Sequence, residues 1–86
     1  MNSLTLSEQN LGHIPKEISL LKNLQYLNLS DTGITSIPEE IGKLSSLKEL
    51  DLSLNRDLKG LPSSIGNINT LETLDLSCTG ITRPPR

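Results

Sequence analysis

The stretch from Leu24 to Ser46, LQYLNLSDTGITSIPEEIGKLSS, recurs at once as LKELDLSLNRDLKGLPSSIGNINT and begins again as LETLDLSCTGITRPP. Leu24 is answered by Leu47 after 23 positions, and Leu47 by Leu71 after 24. Reading backwards, Leu4-Thr5-Leu6 matches Leu27-Asn28-Leu29, and Pro15 matches Pro38. The chain therefore divides as a single array: a partial copy over 1–23, full copies over 24–46 and 47–70, and a partial copy over 71–86. A fixed period in the twenties restricts the fold sharply. Each copy is one small unit that cannot bury its apolar face alone, so copies must stack on one another in a solenoid.

Within a copy the apolar pattern changes its period. Leu27 and Leu29, Leu50 and Leu52, and Leu74 and Leu76 alternate with polar residues, as in a short strand with one buried face. A proline then opens a short helical segment in each of the first three copies, at Pro15, Pro38 and Pro62, with Pro expected at the first helical position. Ile18 and Leu21 face the interior of the first layer, as do Ile41 and Leu44 in the second and Ile65 and Ile68 in the third. Gly33 and Gly42 fall where the chain bends and returns, and Glu39 and Lys43 have the spacing of a surface helical pair. Strands that return every 23 or 24 residues can only pair in parallel, in register and about 4.8 Å apart. The expected fold is of the α/β class: a short curved parallel sheet on the concave side and short helical or 3-10 segments on the convex side. The third copy carries one extra residue around Arg56-Asp57, either a length variation or a loop on a binding face. Pro84 and Pro85 should end further strand or helix hydrogen bonding.

LPSSIGNINTLETLDLS and IPEEIGKLSSLKELDLS resemble the leucine-rich repeats of plant intracellular immune receptors, of cytoplasmic signalling scaffolds and of bacterial effectors delivered into host cells. The resemblance covers nearly the whole chain. It implies a non-enzymatic module that recognises a polypeptide, the recognition segment of a larger immune-receptor, signalling or effector protein whose catalysis or signalling lies in other domains. The substrate-recognition arm of a ubiquitin ligase is a further role within the same resemblance. Two departures stand out. The slot after the strand holds Gln9, Thr32, Asn55 and Thr79, so only Asn55 can bond neighbouring backbone through both ends of an amide. No polar or disulfide-bonded cap is legible at either end, which leaves open a structural or self-associating unit that meets another copy through its ends.

Composition narrows the partners. The core must be built from Leu and Ile, because the chain holds one Tyr and neither Phe nor Trp. With a net charge of −2 and no block of Lys or Arg, the sequence offers no stripe for nucleic-acid phosphates. No apolar run approaches the roughly 20 residues of a membrane span, and MNSLTLSEQN lacks the features of a secretory signal. Cys78 stands alone, so no internal disulfide is expected, which suits the cytoplasm.

The outward strand residues form rows across the copies. One is Ser3, Tyr26, Glu49, Thr73; the next is Thr5, Asn28, Asp51, Asp75; then come Ser7, Ser30, Ser53, Ser77, and last Glu8, Asp31, Leu54, Cys78. Five of the ten acids lie on these rows and no Lys or Arg does. A concave face of one sign attracts a partner of the other. The candidate contact residues are Tyr26, Asn28, Asp31, Glu49, Asp51, Leu54 and Asp75, for a protein or peptide partner of basic character; the bland alternative is a solvated polar face. Tyr26 is either an interface residue or one that lies across Ser3 and Glu49. Asp51 and Asp75 should be cross-strand neighbours, close enough to raise one of their pKa values. Paired carboxylates serve glycoside hydrolysis, but an open sheet builds no closed pocket around them. Two carboxylates are also too few oxygens for a metal, and nothing in the pattern asks for a cofactor. His13 reads as an exposed loop residue, the serine row as small residues that let strands pack, and Asn28-Leu29-Ser30 as an accidental glycosylation sequon within a strand.

Overall fold

In the computed structural model, residues 2–81 are described; Pro84 and Pro85 lie outside them. The elements alternate as expected: β1 (Ser3–Thr5), 3-10 helix η1 (Lys16–Leu20), β2 (Tyr26–Asn28), η2 (Glu39–Lys43), β3 (Glu49–Asp51), η3 (Ser63–Asn67) and β4 (Thr73–Asp75). The strands form one four-stranded parallel sheet in the order β1-β2-β3-β4. Its register is the repeat itself, with Leu4, Leu27, Leu50 and Leu74 side by side.

A spacing of three residues makes the convex segments 3-10 rather than α. The apolar series Pro38, Ile41, Leu44, Leu47 is linked by Ile41 N–H to Pro38 C=O (3.1 Å), Leu44 N–H to Ile41 C=O (3.2 Å) and Leu47 N–H to Leu44 C=O (3.3 Å). With three residues per turn, side chains three apart stack on one face, which turns Ile41 and Leu44 into the core. Pro38 precedes the first helical residue in an extended conformation (φ −71°, ψ 153°), so it caps η2 and does not open it; Pro15 and Pro62 do the same for η1 and η3. The same geometry removes the Glu39–Lys43 pairing expected of α-helical spacing. Four residues along a 3-10 helix rotate by about a third of a turn beyond a full one, so the two side chains diverge.

Stacked layers make the core. Leu27, Leu29, Ile34, Ile41, Leu44, Leu47, Leu50, Leu52 and Leu58 are all buried, whereas Leu4, Leu6, Leu11, Leu71, Leu74, Leu76 and Ile81 are only partly buried against them. Leu21, expected inside its layer, is 39% exposed, and Leu20 is 72% exposed. Leu44, at the equivalent place, is 0% exposed because it has a layer on either side. The convex side is held at close range. Gly42 lies against Ser64, where a Cβ would stand 2.6 Å from the Ser64 Cβ, and the Ser64 hydroxyl donates to the Glu39 carbonyl at 2.7 Å.

Asn55 ties the second and third layers together. It is 1% exposed. Its Oδ1 accepts from Thr32 N–H (2.9 Å) and Gly33 N–H (3.0 Å), and its Nδ2 donates to the carbonyls of Leu29 and Leu52, both at 2.9 Å. Thr32 and Thr79, in the same slot of their own copies, donate their hydroxyls to the carbonyls of Leu29 and Leu76 at 2.8 and 2.7 Å; the Thr32 hydroxyl also lies 3.2 Å from Asn55 Oδ1, and that of Thr79 accepts from Ile81 N–H at 3.4 Å. The extra residue of the third copy is absorbed in a tight turn, Leu58 N–H to Asn55 C=O (3.1 Å), which exposes Arg56 and Asp57 and returns Leu58 to the core. Gly80 packs on that turn, where a Cβ would meet the Arg56 carbonyl at 2.8 Å.

Leu50→Ala or Leu52→Ala should cost about 2–5 kcal/mol of stability, and Leu74→Ala, in a layer covered on one side, distinctly less. Urea denaturation of the three variants gives the order, and equal losses would contradict the layered core. Asn55→Ala should cost at least about 2 kcal/mol, because it leaves two amide N–H groups and two carbonyls short of a partner; a loss below about 0.5 kcal/mol would show that the bridge is dispensable.

Candidate polypeptide-binding face

In a parallel sheet with one face on the core, alternate strand residues must point to the other side. That places Ser3, Tyr26, Glu49 and Thr73 in one row and Thr5, Asn28, Asp51 and Asp75 in the next, paired residue by residue across the sheet. These eight side chains line an open trough of ≈ 220 Å³ on the concave face, whose floor is the strand backbone at Leu4, Leu27 and Leu50. Glu49, Asp51 and Asp75 supply its charge, and no Lys or Arg lines it. Tyr26, at 39% exposure, offers the trough its only ring.

The row through Asn28 is locked from beneath by a recurring turn. Asn28 Oδ1 accepts from Ser30 N–H and hydroxyl at 3.0 and 2.8 Å. Asp51 Oδ1 does so from Ser53 at 2.9 and 2.6 Å, and Asp75 Oδ1 from Ser77 at 3.0 and 2.7 Å. Asn and Asp side chains bonding the backbone two residues on are a known local motif, and the serines therefore hold the acids rather than merely leaving room for strand packing. The rise in one pKa expected for the Asp51–Asp75 pair is not what Asp75 shows. Hydrogen bonds from the Ser77 backbone N–H, and then from its hydroxyl, hold the Asp75 carboxyl below the usual carboxylate range against a small desolvation. Asp75 thus enters any encounter ionised.

The fourth row belongs to a different structure. Glu8, Asp31, Leu54 and Cys78 follow the strands in the left-handed region, with φ of 67°, 54°, 64° and 58°. Asp31 N–H reaches Ser53 C=O and Leu54 N–H reaches Ser77 C=O, both at 3.0 Å. Of the seven candidate contact residues, the trough therefore gathers Tyr26, Asn28, Glu49, Asp51 and Asp75, while Asp31 and Leu54 stand beyond the carboxyl ends of β2 and β3, on its rim. Leu54 is 46% exposed. Sequence reasoning missed the left-handed row, for which Asp31 alone carried a hint, since Asp tolerates this conformation and Leu does not.

Among the described residues no group of three or more His, Cys, Asp or Glu is placed to hold a metal, and no helix is long and apolar enough to cross a membrane. Cys78 is a free, exposed thiol.

The family model for a leucine-rich repeat region matches residues 1–82. The chain belongs to the leucine-rich repeat family. Among solved structures it is similar to a leucine-rich repeat protein of Leptospira interrogans, at 35% identity and a TM-score of 0.94, over 99% of this chain and 21% of that one. It is also similar to the plant peptide hormone receptor RGFR1 in complex with RGF2, at 41% identity and a TM-score of 0.83, over 92% of this chain and 13% of that one. The leucine-rich repeats here thus span 21% and 13% of those two proteins, whose own activities do not pass to this chain by likeness. No curated protein matches the sequence at a significant level. Both likenesses are to leucine-rich repeat solenoids, a fold that serves as a protein-interaction module.

Two outcomes follow from the site's geometry. Leu54→Asn should stabilise the protein by roughly 0.5–1 kcal/mol, part of the 1–2 kcal/mol that a left-handed conformation costs an ordinary residue, as thermal denaturation would show; a lower melting temperature would contradict the strain. Asp75 has a folded pKa below its unfolded one, so its stabilising share is present above the unfolded value near 3.8 and lost as pH falls through the lower folded value. Asp75→Asn should therefore flatten the acid limb of the stability profile below about pH 4, and an unchanged acid limb would count against the Ser77 bonds.

Proposed function

We propose that this chain is a recognition module whose concave face takes a basic polypeptide segment. The observation that carries the reading is the pairing of a one-signed trough (Glu49, Asp51 and Asp75, with no cation) with an exposed tyrosine on the same face of the sheet. Such a surface raises the encounter rate of a cationic partner, more at low salt than at high, and a tyrosine there adds contact area at low entropic cost. The complex of the plant receptor with RGF2 supports a peptide-sized partner for repeats of this kind. On this reading the module works within a larger immune-receptor, signalling or effector protein, in the cytoplasm, where a lone exposed thiol such as Cys78 persists.

Asp51→Asn with Asp75→Asn tests the reading cleanly. Asn28 shows that asparagine in this row forms the same turn with its serine, so the double variant removes charge and leaves the fold. Selection of a randomised peptide library should enrich cationic peptides on the native chain and lose that enrichment on the variant. Enrichment of neutral peptides, or an unchanged cationic set on the variant, would refute the proposed partner.

A second reading rests on the first layer. Leu20 and Leu21 are exposed, and among the described residues β1 pairs with β2 alone, which offers a second copy of this chain a leucine-rich layer to stack on. Light scattering over a concentration series decides it: mass that rises with concentration supports self-association, and a constant monomer mass removes it.

A further inference from the structure

We draw no further inference here: the strongest candidate, the apolar surface patch at the first layer of the stack where Leu20 and Leu21 are exposed beside the hollow they line with Lys22, Asn23 and Leu24, carries nothing beyond the self-association reading already given, because nothing in the structure shows what covers it.

Discussion

Every layer of this molecule is completed by the next, and that dependence governs the rest. Leu27 and Leu50, with a strand on each side, are 2% and 1% exposed, whereas Leu4 and Leu74 in the same register remain partly buried. A leucine in one copy gains little from its own copy and most of its burial from its neighbours. The parallel ladder holds those neighbours at a fixed separation. Gln25 and Tyr26 N–H reach Asn2 C=O at 2.7 and 3.0 Å, and Lys48 and Glu49 N–H reach Gln25 C=O at 2.7 and 3.0 Å. Stability thus passes from layer to layer, and the Asn55 bridge strengthens it at the middle of the stack.

The same register makes the concave face. A one-residue slip would turn Tyr26, Asn28, Glu49 and Asp51 inward and the leucines outward, so the apolar core and the acidic trough are two sides of one constraint. On that face the chain adds a second level of order. Each of Asn28, Asp51 and Asp75 is fixed by the serine two residues later, and the chain then passes through a left-handed residue before it re-enters the core. An acid held in this way needs little reorganisation to meet a cation, which favours binding by preorganisation rather than by area.

The fold was legible because the period was. Strand positions, register, the parallel sheet and the proline-led convex segments all follow from spacings of two, three and 23 or 24, and Asn55 could be picked out as the residue with both ends of an amide to offer. What the sequence hid has physical causes. Leu21 matches Leu44 letter for letter, but only position within the stack tells that one is covered on both sides. Glu39 and Lys43 look like an α-helical pair because four-residue spacing is informative only once the turn is known to hold 3.6 residues. The left-handed row escaped notice because Leu54 contradicts local propensity, and the conformation is imposed there by the equivalent turns on either side. The Asn/Asp-x-Ser pattern was visible at 28–30, 51–53 and 75–77, yet its effect on Asp75 depends on the hydrogen bonds from the Ser77 N–H and hydroxyl, which only the folded turn brings to the carboxylate.

The most direct measurement is an NMR titration of the ¹⁵N-labelled chain with a cationic peptide selected on it, following each backbone amide. Shifts concentrated at Tyr26, Asn28, Glu49, Asp51 and Asp75, and on the adjoining rim at Leu54, are the result expected if the concave sheet is the recognition surface. Shifts gathered instead on the convex segments Lys16–Leu20, Glu39–Lys43 or Ser63–Asn67 would contradict it.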